Sequence, residues 1–248
     1  MKNKNRRESA NSNITNKNDN SLRVSQRDKI DTEFKIRPFP WTEKQQNFID
    51  ISLDNKTNII LCRACAGVGK TLLSLYCSLV LLSQKKIGEI FYFRVPLESC
   101  SYGLGYLTGD KDMKLDPHSS PLKEHLNELL EKPTINSLLK EERIKVDSIG
   151  FIKGRTFNNC AILADECEDM TKKDLALLLS RYGRHTKMFI IGDSNQANIK
   201  NSGFDDVFDA FNNERARNNG IFCLEFDKND CKRSEITKFI IETFENLK

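Results

Sequence analysis

The sequence contains no run of about 18 apolar residues, the length that a membrane-spanning helix requires. Its polar, asparagine-rich beginning also lacks the apolar segment of a secretory signal. We therefore expect a cytoplasmic protein that has no membrane partner.

The cysteines lack the spacing of a metal site. The chain has eight of them, but Cys62 and Cys65 form one C-x-x-C with no second pair at metal-ligand spacing, and both lie on a glycine-rich loop. In a reducing compartment, such residues are mostly small buried hydrophobic side chains. The sequence therefore predicts neither a disulfide framework nor a cysteine metal site.

A strong excess of one charge is also missing. The net charge is +4, and residues 1–33 hold eight Lys/Arg against five Asp/Glu, a net of +3, which leaves +1 for the rest. A nearly neutral body argues against a strongly basic nucleic-acid-binding face, although a local basic groove is compatible with that sum. Residues 1–33 offer almost nothing apolar to bury, so we predict a disordered polar tail followed by one domain over residues 34–248.

Short apolar runs alternate with helical patterns along the rest of the chain. The runs are TNIILC, EIFYFRV, IKVDSI, CAILAD, KMFIIG and IFCLEF. The helical patterns are TEKQQNFIDISL, KTLLSLYCSLVLLSQ, PLKEHLNELLEK, TKKDLALLLSRYG, FDDVFDAFNNE and SEITKFIIETFENL. This alternation predicts an α/β fold, a mostly parallel sheet covered by helices on both faces.

The stretch CRACAGVGKT ends one apolar run and begins a helical pattern, which is the context of a phosphate-binding loop. Ala64 replaces the first glycine of G-x-x-x-x-G-K-[ST], but at the exit of a strand a negative φ suffices. Gly67 and Gly69 let N–H groups converge at a helix N-terminus, which attracts anions. Lys70 is expected to reach the outer phosphates and Thr71 to offer its hydroxyl to Mg²⁺. The alternative is a glycine-rich turn with a chance Lys-Thr.

Two further strands end in polar residues. CAILAD closes on Asp165 and Glu166, which predicts a Mg²⁺-holding carboxylate followed by a base for the attacking water. KMFIIG places Gly192, Asp193 and Gln196 at the same kind of edge, where ligands of open α/β sheets bind. Gln196 has both a donor and an acceptor and would suit a γ-phosphate sensor, or it belongs to a polar turn.

Taken together, these motifs resemble the PhoH-like family of P-loop ATPases, which is related to the first motor lobe of superfamily 1 helicases. The resemblance covers most of residues 42–245 and depends on TEKQ, AGVGKT, FRVPLESCSYGLGYLTGD with DPHSSPL, GRTFNNCAILADECED, RYGRHTKMFIIGDSNQ and NDCKRSEITKFI. It implies binding and hydrolysis of ATP with Mg²⁺ on a RecA-like sheet in which KMFIIG lies between the strands of the two phosphate motifs.

The resemblance also implies roles for single residues. Gln45 would read adenine, a role that competes with a capping box to Thr42, and Arg233 would approach the γ-phosphate from its own or a neighbouring subunit. Arg94 and Arg155 match family positions and are either functional or structural ion pairs. The residues expected to contact the nucleotide in the loop are Ala66, Gly67, Val68, Gly69, Lys70, Thr71 and Leu72.

The chain departs from the family in one motif. Members often show Asp-Glu-Ala-Gln-Asn after the strand, whereas this sequence reads DECED, with Glu168 in place of the glutamine and Asp169 in place of the asparagine. Any role of that glutamine in sensing nucleotide or in coupling to a polymer is therefore not expected to carry over unchanged. Hydrolysis itself is still expected, because Asp165 and Glu166 are present.

Three functions are considered for the chain, and the first two use ATP. The first is remodelling of single-stranded RNA or DNA by an oligomer, with a ring as one form, because one lobe holds only part of a helicase site. In that case the insertion of residues 96–120, with its glycines and tyrosines, would stack bases; otherwise it would be a lid or subunit contact. The second function, favoured by the neutral body, is an ATP-dependent switch that binds a protein partner.

The third and weakest function is a metal-dependent nuclease. Asp205, Asp206 and Asp209 lie near one another in FDDVFDAF. The apolar residues between them follow a helical pattern, so these acids are more simply the solvated face of a helix.

Overall fold

The computed structural model describes residues 33–65, 67–95, 120–147, 149, 152–227, 230, 236, 239 and 243. In that part of the chain, six parallel strands form one sheet in the order β3-β2-β4-β5-β1-β6. The strands are β1 (Ile59–Ala64), β2 (Glu89–Arg94), β3 (Ile144–Asp147), β4 (Cys160–Asp165), β5 (Lys187–Gly192) and β6 (Ile221–Phe226). All six predicted strands are confirmed, as is the position of β5 between β1 and β4.

The described helices alternate with these strands. They are α1 (Glu43–Leu53), α2 (Lys70–Ser83), α3 (Ser120–Leu129), α4 (Lys132–Lys140), α5 (Lys172–Leu179), α6 (Phe204–Phe211) and α7 (Glu214–Asn218). Two short 3₁₀ turns, Cys167–Asp169 and Ser194–Gln196, follow β4 and β5. None of the described helices combines the length and the apolar composition that crossing a membrane requires.

The sheet separates two apolar cores, because side chains along each strand point alternately to its two faces. Helices α1 to α4 cover one face and α5 with α6 the other, which confirms the predicted α/β fold. On the first face the strands contribute Ile60, Cys62, Ile90, Tyr92, Ala161, Leu163, Phe189 and Ile191. On the second they contribute Ile59, Leu61, Phe91, Phe93, Cys160, Ile162, Met188 and Ile190.

Two helix boundaries differ from the sequence-based expectation. The helix predicted from PLKEHLNELLEK stops at Leu129, and a further helix, α4, begins at Lys132. Pro133 lies in the first turn of α4, where its missing N–H costs no hydrogen bond, while Ile135 and Leu138 are buried. The pattern FDDVFDAFNNE ends at Phe211 because the next residues cap the short helix α7.

The described segment before α1 forms no helix, as its prolines predict, and it packs on the first core. The ring of Trp41 lies 4.5 Å from that of Phe39 and 5.0 Å from that of Tyr76. The predicted tail (residues 1–33) and the predicted insertion (residues 96–120) lie outside the described residues, except for positions 33 and 120. Their boundaries therefore stay predictions.

Gly192 ends β5 under the ring of Phe204, the first residue of α6. A Cβ atom at Gly192 would lie 2.7 Å from Cε1 of Phe204. This distance is too short for two carbon atoms, so the glycine lets the helix pack directly on the strand next to the polar edge of the sheet.

We predict that Gly192→Ala lowers the free energy of unfolding by about 1–3 kcal/mol, because the added methyl group overpacks the contact with Phe204. The measurement is urea unfolding followed by circular dichroism. Phe204→Leu makes room for the methyl group, so Gly192→Ala should cost less in that background than in the wild type. An equal cost in both backgrounds would show that the ring is not the obstacle.

Candidate functional site

The candidate site lies at the carboxyl edge of three neighbouring strands. Strand β1 leads into the glycine loop, β4 ends at Asp165, and β5 ends at Gly192 and is followed by Asp193. Because the strands are parallel and adjacent, all three polar termini meet at one edge.

The glycine loop turns where the sequence supplies glycine. Gly67 and Gly69 have φ values of 88° and 79°, in the left-handed region, and Gly69 precedes the first residue of α2. Ala64 is a buried strand residue, so its methyl group meets no conformational demand for glycine. Lys70 Nζ donates to the carbonyl oxygen of Ala64 at 3.2 Å. Ala66 lies outside the described residues.

Two other loop residues contribute main-chain groups only. The side chains of Val68 and Leu72 are buried in the first core. Their predicted contact with a nucleotide therefore has to come from the backbone at the start of α2. N–H groups of a first helical turn have no partner within the helix and are suited to bind phosphate.

Thr71 and Asp165 join the two phosphate motifs. Thr71 Oγ1 donates to Asp165 Oδ2 at 3.0 Å, and the Tyr92 hydroxyl donates to the same oxygen at 3.0 Å. Burial, followed by the charge of Asp165, raises the pKa of Tyr92, which keeps this hydroxyl a donor. Hydroxyl and carboxylate oxygens are the ligands that Mg²⁺ prefers, and Mg²⁺ usually retains several waters, so one such pair fits this ion.

Glu166 is held by an arginine on the neighbouring strand. Arg94 donates to its two carboxylate oxygens at 2.9 and 2.6 Å, a bidentate ion pair in which both side chains remain part-exposed. The hydrogen bond to Glu166 raises the pKa of Arg94, against the opposing effect of burial. Glu166 adopts a left-handed backbone with φ of 60°, a conformation that is uncommon outside glycine.

Arg155, the other arginine at a family position, has structural partners. Its Nη1 donates to Asp147 Oδ2 at 2.6 Å at the β3 edge, and its guanidinium lies over the rings of Phe91 and Phe157 at 5.3 and 4.8 Å. Of the two roles considered from the sequence, the structure favours the structural ion pair.

Gln196 lies beside a buried carboxylate. It is exposed in the turn after β5, and its Nε2 donates to Asp193, which is 3% exposed. The backbone N–H of Asn195 also donates to Asp193, at 3.1 Å. The structure thus places Gln196 at the predicted edge, while its role as a phosphate sensor stays a prediction.

Gln45 serves the capping box and the loop at once. Its Oε1 accepts from the Thr42 N–H at 3.0 Å, and its Nε2 donates to the Val68 carbonyl oxygen at 2.9 Å. The side chain is 2% exposed. The two predicted roles therefore compete less than the sequence suggested, because the opposite ends of one amide tie α1 to the glycine loop. Adenine recognition by this residue stays a prediction.

Glu168 lies at this edge and was not among the predicted site residues. It is 4% exposed, and its Oε2 has no hydrogen-bond partner. Burial raises its pKa to about 7, against the opposing effect of the main-chain N–H groups of Glu168 and Asp193 and of the charge of Lys70. The signal available in the sequence was the acid at a position where family members often have glutamine.

An open cleft of about 800 Å³ adjoins the glycine loop. Arg63 is its central cation and binds Glu225 at 3.0 Å and both Asp205 and Asp209 at 3.3 Å. Asp206 instead pairs with Lys172 on α5 at 2.7 Å. The three acids considered for a nuclease are thus each paired with a basic side chain.

The cysteines in the described part of the chain are mostly buried and protonated thiols. Four of its cysteines are buried, and burial raises the pKa of Cys62, Cys77 and Cys160 to about 12. No group of three or more His, Cys, Asp or Glu residues that could hold a metal ion occurs among the described residues.

Comparisons with known proteins match most of the chain to one family. Residues 36–245 match the family described as "PhoH-like protein". A "PhoH-like protein" of Synechocystis is 31% identical over 59% of this chain and 44% of its own length, and "Protein PhoH" of Escherichia coli K12 is 25% identical over 75% and 52%. The chain spans about half the length of the curated relatives it matches.

Among solved structures, the "Sulfolobus solfataricus SWI2/SNF2 ATPase core in complex with dsDNA" superposes with a TM-score of 0.43 and 11% sequence identity. The superposition covers 70% of this chain and 37% of that chain.

We predict that Gln45→Ala lowers the free energy of unfolding by about 1–3 kcal/mol, because it removes the cap acceptor of α1 and leaves the Val68 carbonyl buried without its donor. Urea unfolding measures the loss. The matched control is Gln46→Ala, an exposed neighbour whose amide donates to Asp50, and it should change stability by less than about 0.5 kcal/mol. Equal effects of the two changes would contradict the tie between helix and loop.

Proposed function

We propose that this chain, which belongs to the PhoH-like family, binds ATP at the carboxyl edge of its sheet and hydrolyses it with Mg²⁺. The match over residues 36–245 confirms the family predicted from the motifs. ATP hydrolysis is the function that the geometry of the site supports best. The observation that carries the proposal is the 3.0 Å hydrogen bond from Thr71 Oγ1 to Asp165 Oδ2. It brings the hydroxyl of the glycine loop and the carboxylate of the second motif to one point.

Binding uses the loop and the first turn of α2. Main-chain N–H groups and the helix N-terminus would hold the phosphates, and Lys70 would exchange its bond to the Ala64 carbonyl for the outer phosphates. Thr71 and Asp165 are the residues that would hold Mg²⁺. This ion, when bound, neutralises charge on the phosphate oxygens.

Hydrolysis requires a water aligned with the γ-phosphorus and a base for its proton. Glu166 is the proposed base: its carboxylate takes a proton from the water as the water oxygen bonds to phosphorus and ADP leaves. Arg94 positions that carboxylate through two hydrogen bonds. Gln196 is proposed to contact the γ-phosphate or the water from the neighbouring strand, and Gln45 to read adenine.

We further propose that hydrolysis is coupled to remodelling of single-stranded RNA or DNA by an oligomer. The relation of the family's ATPase lobe to helicase lobes favours this function. The near-neutral charge of residues 34–248 favours the second candidate, an ATP-dependent switch that binds a protein partner. The two candidates differ in one measurable property, because a polymer-coupled ATPase should turn over faster when its polymer is present.

We predict that poly(U) RNA or oligo(dT) raises the steady-state ATPase rate of the full chain by about tenfold or more.

Glu166→Gln should bind labelled ATP as the wild type does and lose about 10²–10⁴-fold in rate, because the base is gone. Lys70→Ala should lose binding itself. Equal ATP binding by the wild type and Lys70→Ala would remove the loop from the site.

A basal ATPase that neither polymer accelerates would favour the switch instead. A wild type that binds no ATP would contradict the proposed function as a whole. The exposed change Gln46→Ala serves as the control for handling and concentration, because it lies outside every proposed contact.

Arg233, which lies outside the described residues, is proposed to stabilise the charge that spreads over the γ-phosphate, from its own or a neighbouring subunit. An arginine in this role is worth about 10³–10⁵ in rate. Arg233→Ala should therefore bind ATP and hydrolyse it poorly. If the residue acts across a subunit boundary, mixing this variant with Glu166→Gln should restore some sites, since one chain supplies the base and its neighbour the arginine.

The readout is ATPase rate against mixing ratio, with molecular mass from light scattering. Mixing that restores nothing would place Arg233 in its own subunit. An Arg233→Ala variant as fast as the wild type would exclude it from the mechanism.

A further inference from the structure

One oxygen of a buried carboxyl group in the turn after β4 has no hydrogen-bond partner. Glu168 occupies the 3₁₀ turn after β4, its side chain is 4% exposed, and its Oε2 has neither a hydrogen-bond partner nor access to water. Such an oxygen carries a full desolvation cost if the group is ionised. Most other buried polar groups at this edge are paired, so this oxygen is an exception that calls for a ligand or a proton.

The charges around Glu168 do not compensate for ionisation. Lys70 on α2 is the nearby cation, but it also faces the phosphate site, and the Asp193 carboxylate after β5 opposes it. The other acids of the turn are engaged elsewhere: Asp169 accepts from Asn198, and Glu166 binds Arg94. On α6, which packs against this turn, the charged groups are the acids paired with Arg63 and Lys172, namely Asp205, Asp209 and Asp206.

We propose that Glu168 acts as a neutral carboxylic acid when nucleotide is bound and donates a hydrogen bond to the terminal phosphate. This inference rests on the proposed function, since it requires ATP at the loop. A carboxylate at that position would face both Asp193 and the phosphate charges, whereas a carboxylic acid offers the O–H that an anionic oxygen accepts. Where Glu168 is ionised in the free protein, binding of the triphosphate is therefore coupled to uptake of a proton by this residue.

The group is suited to this role because it is close to half-protonated at neutral pH. Its pKa of about 7 means that it is about nine-tenths protonated at pH 6 and about one-tenth at pH 8 in the free protein. Added negative charge nearby raises the pKa of an acid further. Triphosphate binding should therefore draw about 0.9 proton per site from the buffer at pH 8 and about 0.1 at pH 6.

The test compares the full-length wild type with Glu168→Gln, whose amide donates a hydrogen bond but does not titrate. Calorimetric titration with Mg²⁺ and the β,γ-imido analogue of ATP, in two buffers of different ionisation enthalpy, gives the number of protons taken up. Subtracting the Glu168→Gln value cancels the ionisation of the nucleotide and its metal. The difference should approach 0.9 at pH 8, be small at pH 6, and vanish with ADP, which lacks the terminal phosphate.

Affinity should follow the same linkage. The two proteins should bind the analogue about equally at pH 6, and at pH 8 the wild type should bind about tenfold more weakly than Glu168→Gln, because only the protonated tenth is competent. Glu168→Leu, which has no donor, should lose about tenfold in affinity for the triphosphate at pH 6 but not for ADP. Equal proton uptake by the wild type and Glu168→Gln, or an equal difference with ADP, would overturn the proposal.

A second measurement needs no nucleotide. A carboxyl group whose folded pKa lies above its unfolded value stabilises the fold at low pH and loses that stabilisation as the pH rises toward 7. The Tm of Glu168→Gln should therefore gain on that of the wild type by about 5 °C or more between pH 5 and pH 8. The exposed control Glu43→Gln should show no such gain.

The outcomes separate the two proposals. A wild type that does not bind the analogue contradicts the ATPase itself, whatever the pH dependence of its Tm. Analogue binding without a proton difference contradicts only the role of Glu168. A Tm difference that is constant from pH 5 to pH 8 would show that Glu168 is ionised throughout, which also overturns its role as a donor.

Discussion

The pairing of β5 between β1 and β4 is the constraint on which the candidate site depends. In parallel ladders the strands run in one direction and their carboxyl ends are level, so three loops from distant parts of the chain emerge side by side. The register sets the partners at this edge: Arg63 lies opposite Gly192, and Arg94 lies opposite Asp165. A shift of one residue would turn every side chain of the affected strand to the other face.

The same edge shows how buried polar groups are accommodated. Asp165 accepts hydrogen bonds from two hydroxyls and from the N–H of Glu166, and Gln45 uses both ends of its amide. Each bond adds modestly to stability, but leaving such a group unpaired costs more than the bond contributes. Glu168 is the contrast, because one of its oxygens is buried without a partner. That difference separates groups that hold the fold together from the one that we propose as a donor to the phosphate.

Charge is arranged in separate pairs along the carboxyl edge. Arg94 binds the carboxylate proposed as the base, and Arg63 binds three acids in the cleft beside the loop. These arginines are therefore already neutralised by the protein, whereas Lys70 donates only to a carbonyl oxygen among the described hydrogen bonds and is a basic side chain placed to bind phosphate. The near-neutral sum of the body is thus compatible with a strongly charged site.

The sequence by itself determined the elements and the chemistry of their ends. Apolar runs of strand length, separated by helical patterns, predicted all six strands, and Gly67, Gly69, Lys70 and Thr71 predicted the loop, because these features follow from local conformation and residue type. The break before α4 was missed, since a proline in a first turn resembles any other proline until the helix is seen.

Only the tertiary structure decided which side chains meet. Arg94 binds Glu166 in a bidentate ion pair, and Gln45 bonds the glycine loop, although these partners are distant in sequence. Arg155 instead pairs with Asp147 at the β3 edge. The burial of Glu168 likewise depends on the packing of a turn against β5 and α6. Residue type fixes what a group can do, but its pairing and its protonation depend on the neighbours and the solvent that folding leaves around it.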